Sequence, residues 1–112
     1  GSIVLVNKIA YKFHQIRRGD IVIFTTSNKP YVYFIKRVLA FPGEKVEFKN
    51  GVLFINDVEV PEPYLKERGN WNTEPFIVKE NHFFVCGDNR IMPWDDHFHP
   101  QISIFSPLLF PG

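Results

Sequence analysis

The chain has 112 residues, enough for one domain with one modest core. Apolar residues make up 45% and aromatic residues 16%, which excludes disorder, and twelve Phe point to apolar surface beyond what a small core needs. Net charge is +1, so nothing pulls the whole chain toward nucleic acid or an acidic membrane, and no RNA-binding or zinc-finger motif appears. No run reaches the length of a bilayer span, and the single Cys86 rules out an internal disulfide.

Gly1-Ser2 reads as a cloning remnant and is set aside. Ile3 to Val6 is an apolar strand. Ile9, Tyr11 and Phe13 recur at period two and extend it, with His14 in the connection that follows. Gln15 to Asp20 is a basic turn, in which Arg17-Arg18 reads as a solvated charge pair. Asp20 to Thr25 is a nearly continuous apolar run, which predicts a strand buried on both faces. Thr26 to Pro30 is a short polar loop.

Tyr31 to Phe41 is a long strand whose only charges are Lys36 and Arg37. Neighbours in a strand point to opposite faces. Lys36 therefore shares a face with Phe34 and Val38, and Arg37 with Ile35 and Leu39. Burying a lysine costs several kcal/mol unless it is paired or loses its proton. On spacing alone, Lys36 is either a snorkelling surface residue or a neutral base.

Pro42-Gly43 is a turn. Lys45 to Lys49 alternates charged and apolar residues. Asn50-Gly51 then predicts a two-residue type I′ hairpin, because that turn needs positive φ at both central positions. Gly51 to Asn56 runs back, Asn56-Asp57 permits another tight turn, and Val58 and Val60 continue until Pro61 and Pro63 stop the pairing. Residues 61–75 are a loop or extension. Trp71 within them either covers an edge of the core or forms an apolar rim that touches lipid.

Phe76 to Glu80 and His82 to Cys86 read as short strands, with His82 at the turn between them. Asp95-Asp96-His97-Phe98-His99 has metal-ligand chemistry. His97 and His99 would project oppositely from a strand, however, and Pro93 and Pro100 make the stretch a loop, so no metal site is assigned. Ile102 to Phe110 is an apolar tail, an edge strand or packed extension. No segment combines a helical period with caps, so the fold class is all-β with antiparallel neighbours.

Three motifs now stand in order. Arg18-Gly19-Asp20-Ile21-Val22-Ile23-Phe24 is the first, Ile35-Lys36-Arg37-Val38 running through Pro42-Gly43 into the hairpin is the second, and Gly87-Asp88-Asn89-Arg90 after a strand is the third. Together they resemble the bacterial type I signal peptidases, whose patterns are R-G-D-I-V-V-F, Y-I-K-R-V-x-G-x-P-G-D and G-D-N-R. The resemblance spans most of the chain. It implies a partly open, barrel-like antiparallel β fold, of the type shared by signal peptidases and repressor peptidases.

The resemblance also implies an activity, a serine endopeptidase that removes signal peptides from exported precursors with a serine–lysine dyad. Lys36 falls on the general-base position. A lysine acts as a base only as the neutral amine, which an apolar wall favours. The site-supporting residues would be Arg37, Gly87, Asp88, Asn89, Arg90 and Asp95, with Gly87 to Arg90 lying beside Lys36 in space. The family's serine stands in an S-M-x-P-[ST] box ahead of the V-L-V-x-K strand that Val4 to Lys8 resembles. That serine and a membrane anchor are expected upstream of this sequence. The stretch given is expected to be soluble and, alone, to cleave nothing. The whole protein would sit in the bacterial cytoplasmic membrane, its catalytic domain on the outer side against the lipid surface. Neither a metal nor an organic cofactor is implied.

Beyond G-D-N-R the chain departs from the family. Aligned from Gly87, a serine that helps hold the lysine amine falls on Pro93. Asp95 keeps the family's aspartate, while a second serine becomes Asp96 and an arginine becomes His97. One hydrogen-bond partner of Lys36 is thereby lost, and an aspartate–arginine pair becomes at best an Asp95–His97 pair that depends on pH. The alternative function is a catalytically inactive homologue acting as a peptide-binding β module. A self-cleaving repressor-type peptidase is disfavoured, since no DNA-binding module is present.

Overall fold

Turn chemistry and period-two patterning decide the elements. The computed structural model describes residues 3–6, 16–26, 29–94, 101–103 and 108–111, and every regular element among them is a strand. In order these are β1 (Ile3–Val6), β2 (Ile21–Thr26), β3 (Lys29–Ala40), β4 (Lys45–Lys49) and β5 (Val52–Ile55). Then come β6 (Val58–Glu59), β7 (Phe76–Ile77), β8 (His82–Cys86), β9 (Gln101–Ser103) and β10 (Leu108–Pro111). They build two open antiparallel sheets, one in the order β1-β10-β2-β3-β8-β9 and one in the order β6-β5-β4-β7.

The hairpin lies where its turn residues put it. Lys49 pairs with Val52, and Asn50 (φ 48°) and Gly51 (φ 80°) are both left-handed, as a type I′ turn requires. Asn56 (φ 50°) and Asp57 (φ 68°) repeat the geometry between β5 and β6. Val46, Phe48, Leu53 and Ile55 alternate into the interior.

β3 has two unlike halves. β2 pairs with it along most of its length, whereas β8 pairs with it only from Arg37 onward. Lys29 to Lys36 thus has one strand neighbour among the described elements. Phe34, Lys36 and Val38 share a face as the alternation predicts. On the other face Ile35 is exposed and Leu39 fully buried, because the four-stranded sheet packs only on the later half.

Two apolar clusters result. Ile16, Val22, Phe24, Val38, Phe83 and Val85 form one. Leu39, Ala40, Val46, Phe48, Leu53, Trp71, Val78, Phe84 and Cys86 belong to the other. β8 feeds both, so it is the strand buried on two faces. That role was expected of β2, but only Val22 and Phe24 are buried there, and Ile21 and Ile23 stay half-exposed.

Other expectations shift for physical reasons. The strand expected over Phe76 to Glu80 stops at Ile77, since Asn81 (φ 59°) opens a turn ahead of β8. The tail does not end as an edge strand: β10 lies between β1 and β2, while β9 forms the edge beside β8. Trp71 is core, not rim. Its ring packs 5.2 Å from that of Phe48, and its Nε1 donates to the Met92 carbonyl at 2.6 Å. Arg18 is not simply solvated. Its guanidinium donates to the Leu39 carbonyl and to both oxygens of Glu44. The continuation of the first strand through Phe13, and Asp95 to His99, lie outside the described residues.

Candidate active site

The site lies at the point where β3 gains its second neighbour. Lys36 is the last residue before β8 joins, facing Val22 across the β2 pairing. The pairing of Arg37 with Cys86 delivers the next residue, Gly87, to the lysine side chain. A methyl group on Gly87 would stand 3.4 Å from Lys36 Nζ. Gly87 and Lys36 are therefore neighbours in space, as expected, and the missing side chain leaves the amine its room.

Both residues open on a cleft of about 420 Å³. Phe24, Phe34, Val85 and Ile102 supply one apolar wall, and Trp71, Met92, Pro93 and Trp94 another. Lys36 itself is half-buried. Among the described residues no carboxylate or carbonyl engages its amine. Cys86 lines the same cleft, and burial pushes its thiol up to about 12, so it stays a thiol.

Arg37, on the opposite face, is locked. Its Nε and Nη2 donate to the two Asp88 carboxylate oxygens at 2.9 and 2.6 Å, and its Nη1 donates to the Gly19 carbonyl at 2.7 Å. The guanidinium lies 3.8 Å over the Tyr64 ring. The Arg37 hydrogen bonds hold the Asp88 carboxyl below its ordinary value. The Arg18-Gly19-Asp20 motif thus meets the lysine strand directly, with Gly19 N donating to the Val38 carbonyl and Val38 N to that of Asp20.

Arg90 is 1% exposed. Its Nε donates to the Gly87 carbonyl at 2.8 Å, and its Nη1 and Nη2 donate to Glu62 at 3.2 and 2.8 Å. Burial works against the Arg90 charge, but the Glu62 pair outweighs it and raises the pKa. Tyr64 donates its hydroxyl to Glu62 as well. Burial first, then Glu62, drive the phenol above its ordinary range. Asn89 is exposed at the cleft mouth, its Oδ1 accepting from Ile91 N at 3.3 Å.

Of the residues expected to support the site, Gly87 and Asn89 line the cleft with Lys36, Arg37 and Asp88 pair on the opposite face, and Arg90 holds the Gly87 carbonyl, whereas Asp95 lies outside the described residues together with Asp96 and His97. Pro93 lines the cleft and brings no hydroxyl. Sequence reasoning missed Glu62 and Tyr64. They sit in a proline-broken stretch without periodicity, and the one available signal was that a buried Arg90 would need an acid. Among the described residues no group of three His, Cys, Asp or Glu is placed to hold a metal ion.

Comparison with known proteins agrees with this architecture. Residues 1–105 match the family model described as signal peptidase, peptidase S26. Signal peptidase I of Bacillus caldolyticus is 34% identical over 88% of this chain and 61% of its own length. Thylakoidal processing peptidase 1, chloroplastic, of Arabidopsis thaliana is 36% identical over 87% of this chain and 32% of its own length. A solved signal peptidase I from Enterococcus faecalis V583 superposes with a TM-score of 0.63 at 30% identity, covering 81% of this chain and 92% of that one. The chain thus spans 61% of the length of the first curated relatives it matches. With a family match along nearly all of its sequence and an open β fold in common with a solved relative, the chain belongs to the signal peptidase family, peptidase S26.

Proposed function

We propose that the protein containing this chain is a signal peptidase I, a serine endopeptidase that removes signal peptides from exported precursors with Lys36 as general base. The observation that carries this reading is the Lys36 amine set against Gly87 in an apolar cleft. A neutral amine there takes the proton of a serine hydroxyl as the oxygen attacks the scissile carbonyl. The protonated amine then returns the proton to the departing amine of the substrate, and a water activated by the same lysine releases the acyl-enzyme. The serine belongs, on this reading, to a box preceding Ile3, and Arg37, Gly87, Asp88, Asn89, Arg90 and Asp95 support the lysine. No metal or cofactor takes part in this route.

Substrate would lie extended along the first half of β3, where no strand among the described residues pairs on the side away from β2. Tyr31, Tyr33 and Ile35 are 93%, 62% and 63% exposed on that half, an apolar surface suited to a lipid interface. This supports a catalytic domain held against the outer face of the bacterial cytoplasmic membrane. Among the described residues no helix is long and apolar enough to cross a membrane. Pro93 favours a second reading, a peptide-binding module without turnover, because it removes a hydroxyl from the cleft.

The test uses the full-length protein with a signal-peptide-bearing precursor. Lys36→Ala is expected to lower kcat by roughly a thousandfold or more with precursor binding retained. Wild-type cleavage that survives Lys36→Ala removes the dyad. Precursor binding with no cleavage by the wild type establishes the module instead. Residues 1–112 alone are expected to cleave nothing.

A further inference from the structure

One buried pair includes a residue, Glu62, to which the mechanism above gives no part. Glu62 and Arg90 form a bidentate ion pair whose side chains are 5% and 1% exposed. Taking both charges out of water is expensive, and an apolar pair of similar volume often serves stability as well or better. A buried pair of this kind calls for a reason other than stability.

Its contacts supply one. From Glu62 a chain of bonds runs through Arg90 Nε to the Gly87 carbonyl at 2.8 Å, and Gly87 faces Lys36 Nζ. A second chain runs from Glu62 to the Tyr64 hydroxyl. The Tyr64 ring lies under the Arg37 guanidinium at 3.8 Å, and Arg37 grips Asp88, the neighbour of Gly87. The two chains close a ring that passes through Arg37, next to Lys36 on its strand, and through Gly87 and Asp88, the first of which faces the amine. Each polar atom in it has a partner, which is the condition under which a buried network rigidifies its surroundings.

We infer that Glu62 and Tyr64, supplied by the irregular segment after β6, are positioning residues that hold Gly87 and Lys36 in register for catalysis. The inference rests on the signal peptidase reading and deepens it. Glu62 touches neither substrate nor the reacting atoms. It acts through Arg90, and Tyr64 acts through Arg37.

The experiment uses the full-length protein, labelled with 15N-glycine and with 13C at lysine Cε, and compares Glu62→Gln, Tyr64→Phe and Glu44→Gln. Glu44 is the control, an ion-pair partner of Arg18 set apart from this ring. Glu62→Gln is expected to move the Gly87 amide and Lys36 Cε resonances, and Glu44→Gln to leave them in place. Per folded molecule, kcat should fall roughly ten- to a hundredfold in Glu62→Gln, with KM within about twofold of wild type. Tyr64→Phe, which keeps the ring under Arg37, should fall between the two. Unmoved Gly87 and Lys36 resonances in Glu62→Gln overturn the inference, as does full kcat in that variant. If the wild type has no peptidase activity, the signal peptidase reading falls, and the resonances alone still decide whether Glu62 positions the lysine.

Discussion

Gly87 has an ordinary backbone conformation, so an alanine there meets no φ penalty. Its methyl would reach 3.4 Å from Lys36 Nζ, the movable end of a long side chain. Gly87→Ala is therefore expected to cost under about 0.5 kcal/mol of stability. Activity should suffer more, since the methyl comes into contact with the amine that must reach the serine hydroxyl. A melting curve alongside precursor cleavage separates the two, and an unchanged kcat would show that the amine has slack. Charge at this scale also sets acid stability. Burial alone would raise the Glu44 pKa, but hydrogen bonds from Arg18 and from Phe41 N win and lower it. Arg37 lowers that of Asp88. A depressed folded pKa stabilises fully above the ordinary carboxylate value of about 4.3 and loses that contribution as pH falls below it. Tm should drop on acidification through this range, less steeply in Glu44→Gln, and parallel curves for the two proteins would dismiss the Arg18–Glu44 share. Lys36, Arg37 and Gly87 were legible in the sequence because each stands in a short local string. Glu62 was not, since its meaning depends on Arg90, 28 positions away.

Hairpins were the most legible elements, because a type I′ turn is written in two adjacent residues. Gly51 is also constrained from outside: an added Cβ would collide with the Gly69 carbonyl oxygen, and φ is 80°. Gly51→Ala should destabilise by about 3 kcal/mol, combining left-handed strain with overpacking. Urea unfolding measures this, and a loss below about 1 kcal/mol would mean that residues 68–69 yield freely. Burial of whole strands was less legible. β2 and β8 are both apolar runs, yet only β8 is sandwiched, because the four-stranded sheet covers one end of the larger sheet and not the other. Nothing local in the Ile21 to Thr25 run records where a second sheet stops. Trp71 illustrates the same limit in the segment without strands. Thr73 N donates to the Phe48 carbonyl, and Gly51 N to that of Trp71, which ties the extension along the hairpin and turns the indole inward.

At the scale of the whole molecule, β3 and β8 hold the two clusters together. Val38 and Leu39 enter different clusters, as do Phe83 and Phe84. The cleft sits where this shared seam begins, so the lysine stands on rigid strands with an open edge beside it, an arrangement that suits an extended ligand. The insertion of β10 between β1 and β2 has a consequence for biosynthesis. The four-stranded sheet uses only residues 45–77 and can assemble as soon as that stretch has left the ribosome. β1 precedes these strands but pairs through Ile3 with Pro111 and through Val6 with Leu108, so it waits for β10 to be translated. Such distant pairing makes the larger sheet the slow step of folding. Pulsed hydrogen exchange during refolding should protect the amides of β4 and β5 before those of β1 and β2, and simultaneous protection would mean that the sheets form as one. Until β10 has left the ribosome, the flank of β2 that it will occupy is an unpaired edge open to strands of other nascent chains.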